Sequence, residues 1–265
     1  GYPSVTSGNA GAGPGGGGTA SANGGGGGGY GGAGGAALSG AAGGIVNGSR
    51  AAPIDLGSSG GTDNFAAGRS SGAGGGALYI NAVSKVVENG TISMNGNNSS
   101  YDAGGGGAGG AVYIVSPIFT GSGTIIANGG NALTTTYSGG GGGGRIAIVR
   151  NIHDFKGTIT TSGGTGKNSG GTGTVFWGNL PNLSWHFDEG SGTVAKDASI
   201  MGNNGTITGA TYDVLTNSES NRFSLKFNGS NQYVSKSYSS YQELDPYTES
   251  FAVGSWFRHS STMAG

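Results

Sequence analysis

Gly75-Gly76-Ala77-Leu78-Tyr79-Ile80, Gly109-Gly110-Ala111-Val112-Tyr113-Ile114 and Gly143-Gly144-Arg145-Ile146-Ala147-Ile148 are three versions of one stretch. Each is followed by a second recurring stretch, Gly90-Thr91-Ile92, Gly123-Thr124-Ile125 and Gly157-Thr158-Ile159. Ile80, Ile114 and Ile148 are separated by 34 and 34 residues, and Ile92, Ile125 and Ile159 by 33 and 34. These six isoleucines mark the structural positions of the repeat. A fixed period in this range is the signature of a stacked, quasi-one-dimensional architecture. It points to a surface, stalk or filament and away from a catalytic pocket.

Between the marked positions, short runs of β-branched and aromatic residues are bounded by Gly and Asn, which reads as strands. Tyr79, Ile80, Val83, Val86, Val87, Ile92 and Met94 in one copy are matched to Tyr113, Ile114, Val115, Ile118, Phe119, Ile125 and Ile126 in the next. One copy cannot bury its apolar face alone, whereas stacked copies pair like strands around a continuous core. The expected fold is all-β: a glycine-rich β-solenoid or repetitive β-sheet over residues 45–178, after a glycine-rich segment at 1–44. Gly44-Ile45-Val46, with Pro53-Ile54-Asp55-Leu56, reads as a weaker first copy, and Gly173-Thr174-Val175-Phe176-Trp177 as a shortened last rung.

Glycine supplies 64 of 265 residues, yet there is no Gly-X-Y period and only 6 Pro, which excludes collagen. The glycine runs 24–29, 104–110 and 139–144, with the Gly-Ala mixture 31–44, allow two readings. They are flexible or closely packed loops without a recognition role, or they are extended, polyproline-II-like segments packed side by side, where the missing side chains permit backbone approach. Glycine loses the most backbone freedom on ordering, so the second reading requires dense packing.

Charged residues make up 9%, the net charge is -1 and the pI is near 6.3, so neither nucleic acid nor an anionic membrane is an expected partner. No apolar run is long enough to insert into a membrane. Cysteine is absent, which removes disulfides, thiolate metal sites and thiol nucleophiles. A chain opening on Gly1-Tyr2-Pro3-Ser4 reads as a mature or partial product.

Composition changes near Gly178-Asn179-Leu180-Pro181: eight of the 64 glycines lie beyond residue 180, as do eight of the 13 acidic residues. The segment 179–265 contains Trp185-His186-Phe187-Asp188-Glu189-Gly190-Ser191-Gly192-Thr193, then Asn203-Asn204-Gly205-Thr206, then Ser224-Leu225-Lys226-Phe227-Asn228-Gly229 leading to Tyr233-Val234, and Ser250-Phe251-Ala252-Val253-Gly254-Ser255-Trp256-Phe257. Alternating strands with Asn-Gly and Gly-Ser turns argue an antiparallel sandwich. In these four ordered blocks the segment resembles the laminin-G-like, concanavalin-A-like jelly-roll modules of secreted and cell-surface proteins. The resemblance implies a β-sandwich that binds carbohydrate or protein and sometimes holds calcium. Gln232 and Ile200-Met201 depart from the family pattern, so no calcium ligand is carried over. Such a module is longer than 83 residues, so the chain reads as a fragment, or as half a sandwich completed by a neighbour.

No catalytic constellation is found. His153, His186 and His259 lack paired spacing, and Asp188 and Glu189 are adjacent, so on a strand they point to opposite faces. Glu243-Leu244-Asp245 is interrupted by Pro246, and Glu249 is out of phase. Gly164-Thr165-Gly166-Lys167 has Asn168 where a phosphate loop needs Ser or Thr. No cofactor is expected beyond the calcium the resemblance allows. The expected function is a non-enzymatic, secreted, cell-surface protein: a stalk or self-assembling filament subunit, with itself as partner and a glycan as second partner. The alternative is a carbohydrate-binding adhesin, and the third reading places an enzyme's catalytic part beyond Gly265.

Overall fold

The computed structural model describes residues 1–64, 68–181, 183–199, 202–215, 222–236 and 254–255. They are all-β, without a helix among the described residues, and no sheet closes on itself. The chain divides into two compact units, Gly1–Leu180 and Pro181–Gly265.

In the first unit each repeat supplies three strands: β1 (Ala77–Asn81), β2 (Lys85–Val87) and β3 (Thr91–Ser93); β4 (Ala111–Val115), β5 (Ile118–Gly121) and β6 (Thr124–Ile126); β7 (Arg145–Arg150), β8 (Ile152–Phe155) and β9 (Thr158–Thr160). A last strand, β10 (Thr174–Asn179), adds a single strand beside β7. Like strands pair in parallel, giving sheets β1-β4-β7-β10, β2-β5-β8 and β3-β6-β9. Ile80 lies beside Ile114 and Ile114 beside Ile148; Ile92 lies beside Ile125 and Ile125 beside Ile159. At the last residue of β5, Gly121 takes φ 123°, a conformation that a side chain would strain.

Rows of like residues meet along the stack. Val112, Ile114, Phe119, Ile125, Ile146 and Ile148 are completely buried, each contributing about 1.5–3 kcal/mol by burial. Phe119 and Phe155 pack with ring centroids 5.0 Å apart, and Tyr79 stacks on Tyr113 at 5.1 Å. The middle strand corrects the matching made from sequence. Val86, not Val87, lies beside Phe119, and Ser93, not Met94, lies beside Ile126. For the middle strand the cause is the first corner, Ala82-Val83-Ser84, which holds one residue more than Ser116-Pro117 and leaves Val83 in solvent at 87% exposure, while Met94 lies one residue past the end of β3. A one-residue slip exchanges the faces of a strand, so the exposed residue is Val87 and the core-facing one Val86.

The glycine runs form a second body continuous with these strands. Along 104–110 the N–H groups of Gly105 and Ala108 donate to the carbonyls of Gly61 and Ser58, those of Gly106 and Gly109 to Gly139 and Gly142, and those of Gly107 and Gly110 to Asn97 and Met94, all at 2.7–3.0 Å. The same neighbour returns every third residue, the spacing of a threefold extended helix. Segment 139–144 repeats the scheme towards 25–28, 168–171 and 127–130, and accepts bonds from 106–109, 32–35 and Gly164, so six segments surround it. Backbone polarity is satisfied between segments instead of within a ladder. The approach is close enough to exclude side chains: a Cβ on Gly107 would fall on the carbonyl oxygen of Ala73, and one on Gly142 on that of Gly32.

Residues 45–56 do not form the first copy expected of them. Ile45, Val46 and Ile54 are exposed and no strand forms there. The N–H groups of Gly44 and Asn47 are committed to the bundle, on Gly27 and Tyr30, and Gly48 turns the chain with φ 74°. The repeating strands begin at Ala77, and residues 11–44 and 57–61 run back and forth within the bundle.

In the second unit β11 (Val194–Ala195), β12 (Gly205–Thr208) and β15 (Tyr233–Ser235) form one antiparallel sheet, and β13 (Thr211–Leu215) and β14 (Arg222–Lys226) another. The Trp185 indole donates to the Asn203 carbonyl at 2.9 Å. The expected block at 250–258, save Gly254 and Ser255, and also Ile200, Met201, Glu243, Asp245, Glu249 and His259, lie outside the described residues.

Candidate functional site

Chain direction decides where side chains collect. Segments 72–76, 104–110, 139–144 and 170–173 run into β1, β4, β7 and β10, while 94–97, 127–130 and 161–164 run away from β3, β6 and β9. The described parts of the connections, 62–64 with 68–71, 98–103, 131–138 and 165–169, therefore lie together at the end of the bundle far from the strands. Connections 19–23 and 37–41 join them, since Gly25 donates to Ala103 at 2.9 Å and Leu38 to Tyr137 at 2.8 Å.

Main-chain bonds tie these loops into one surface. Ser138 Oγ donates to the Asp102 carbonyl at 2.9 Å, the Lys167 amide donates to the Ser138 carbonyl at 2.8 Å, and the Leu133 amide donates to Ser99 Oγ at 2.9 Å. Asn98 and Asn131 side chains accept the amides of Asn131 and Thr165, both at 2.7 Å, and so set the height of each loop on the next. Beneath the surface Arg69 Nη1 lies 2.8 Å from both oxygens of the buried Asp63, and its guanidinium sits 5.6 Å from the Tyr101 ring centroid. Four large side chains stand out from this end: Leu38, Tyr101, Leu133 and Tyr137, exposed by 49%, 43%, 56% and 38%.

The six repeat isoleucines take no part in this surface; they lie in the strand core or pack against it. His153 packs on Trp177 with centroids 4.5 Å apart, beside Arg150, whose guanidinium lies 5.3 Å from the same ring. In the second unit His186 lies 3.1 Å from Ser184 Oγ. Glu189 accepts the Tyr212 hydroxyl at 2.7 Å and the Lys196 amide. Burial raises the Glu189 carboxyl, but these two bonds, a bond from its own backbone amide and the charge of Lys196 together outweigh it and hold the pKa below its ordinary value. Asp197 is pinned in the same way: burial raises it, and bonds from the Ser199 hydroxyl and the Ser184, Ser199 and Asn203 amides bring it lower. Both carboxylates organise turns. At the strand end of the bundle, burial and then the charge of Asp55 push the Tyr30 phenol up to about 12.

Among the described residues no three His, Cys, Asp or Glu side chains are gathered to hold a metal ion. Lys167 lies in a loop whose amides bond to neighbouring segments, so the phosphate-loop likeness has no structural counterpart. Sequence reasoning did not single out Tyr101 and Tyr137. The available signal was their place, each just ahead of a glycine run, in Tyr101-Asp102-Ala103-Gly104 and Tyr137-Ser138-Gly139. No family model, curated protein or solved structure matches the chain.

Proposed function

We propose that this chain is a non-enzymatic, extracellular surface protein whose first unit is a display device. Its three-sheet stack is read as a β-solenoid body, and the glycine bundle as a rigid neck that holds a recognition face at one end. The observation that carries the reading is the loop surface itself: connections from six places in the chain meet at one end, bonded to one another, with Leu38, Tyr101, Leu133 and Tyr137 projecting. Recognition residues belong on loops fixed by a rigid support. The second unit, read as the opening part of a laminin-G-like jelly roll, is a second binding module in this proposal. Replacing residues 133–137 by a glycine-serine connection of equal length, with Asn131, Ala132 and Ser138 kept, tests the reading: surface adhesion of the purified chain is expected to fall while its melting temperature holds, and unchanged adhesion rules the loop face out.

Self-assembly is the second reading, and one feature favours it. Strands β1, β2 and β3 each pair on one side only among the described residues, and Tyr79, Val83 and Val87 are exposed on that rung. Unpaired strand edges template further pairing. Sedimentation at rising concentration tests it, with a shift to large species expected and a constant monomer against it.

A further inference from the structure

Resting on the display reading, we propose that the loop surface binds a neutral, hydroxyl-rich saccharide against the rings of Tyr101 and Tyr137. Three observations select this class. The two tyrosines are half-exposed yet fixed: the Tyr101 carbonyl accepts from Ser99 Oγ at 3.0 Å and from the Gly104 amide at 3.1 Å, and the Tyr137 carbonyl accepts from Leu38. Aromatic side chains carried on a main chain fixed this way present large apolar faces with a polar tip and have only two side-chain torsions to order, which suits the C–H faces and hydroxyls of a sugar ring.

The charge balance points the same way. On the described loop residues, Asp63 and Arg69 neutralise each other, leaving Asp102 and Lys167, one of each sign. Such a surface offers no field for a sulfated or phosphorylated polymer, and none for a strongly charged peptide. Its polar side chains are instead neutral hydrogen-bonding groups: Ser100, Asn131, Thr135, Thr136 and Asn168 are all exposed. Among the described residues the apolar part is also too dispersed for the fully apolar core of a protein interface, because only Leu38 and Leu133 accompany the tyrosines there.

Arg69 adds an orienting device. Held by the buried Asp63 and placed against the Tyr101 ring, it fixes the ring from below and leaves the exposed part to the ligand. Tyr101 therefore depends on a loop other than its own, which makes the binding face a product of the bundle and not of one peptide.

The test uses the whole chain on an array of neutral, sulfated and sialylated oligosaccharides, beside Tyr101→Ala, Tyr137→Ala and the two Tyr→Phe variants, with melting temperature as the folding control. Neutral glycans are expected to bind, each Ala variant to bind at least about tenfold more weakly, and each Phe variant to stay within about threefold. Binding confined to sulfated or sialylated glycans, neutral-glycan binding untouched by both Ala variants, or no glycan binding at all overturns the assignment. A second arm separates this failure from failure of the display reading. On intact microbial and animal cells, loop-dependent adhesion removed by protease but not by periodate leaves the display reading standing and replaces the saccharide with a protein. Adhesion indifferent to the loop variants sinks both.

Discussion

The side-chain oxygen of Asn95 accepts the backbone N–H of Asn128 at 2.8 Å, and Asn128 in turn accepts the N–H of Ser162 at 2.8 Å. One residue of each repeat thus stitches the edge of the next, at the point where strand gives way to glycine segment. Asn128→Ala should cost about 0.5–1.5 kcal/mol in urea unfolding, the net value of one such bond, whereas Asn128→Asp, which keeps the acceptor, should cost less. Equal losses for the two would show that the amide's donors, not its oxygen, matter.

Close backbone approach gives the bundle its sharpest sensitivity. Gly107→Ala puts a methyl group onto the Ala73 carbonyl, and Gly142→Ala onto that of Gly32, and neither neighbour can yield without breaking its own bonds. Each should destabilise by several kcal/mol or prevent folding. Gly90→Ala, whose new methyl would meet only the Glu88 side chain at 3.6 Å, is the matched control and should lie within about 1 kcal/mol of the parent. Calorimetry of the three variants decides the matter.

The stack should be most costly to damage at its centre. Ile114 and Ile125 are fully buried between rungs, so either change to Ala is expected to cost about 2–5 kcal/mol. Ile80 and Ile92 sit on the outer rung and are only partly buried, so their Ala variants should cost roughly half as much. Chemical denaturation ranks the four, and equal costs would mean that the first rung is covered in solution.

Acid and alkali should act on the second unit through Glu189, Asp197 and Tyr212. Both carboxyls have folded pKa values below their ordinary 4.5 and 3.8, so the stability they confer is complete above about pH 5 and is lost as pH falls through the folded values. Burial, then the hydrogen bond to Glu189, pushes Tyr212 up to about 12. Its contribution is present below pH 10 and is lost as pH rises from there towards 12. The NMR resonance of the Trp185 indole, bonded to Asn203, should hold from pH 5 to 9 and move outside that window. Movement between pH 5 and 7 would contradict the assignment.

The register of the first strand of each repeat was legible because side chains carried it: Ile80, Ile114 and Ile148 recur at one spacing and end up side by side, whereas the extra corner residue at Ala82-Val83-Ser84 hid the register of the middle strand. The weaker reading at Ile45 failed because two apolar residues do not outweigh the backbone bonds that Gly44 and Asn47 make inside the bundle. The bundle itself was only one of two open readings, and its threefold period is invisible in runs of glycine, which have no side chain to mark a face. The loop surface went unread for a related reason. Tyr101, Tyr137 and Leu38 become neighbours only once segments distant in sequence are packed, and nothing in their local spacing announces it.

The hydrogen bonds of the bundle lie across its axis and run to neighbours on every side. A pull between the loop end and the strand end therefore loads all the bonds of a segment in shear at once, whereas a sideways tug would open them singly. If the loops grip a surface, tension along the neck meets its stiffest direction, and the contact should be released by the ligand before the glycine segments slide.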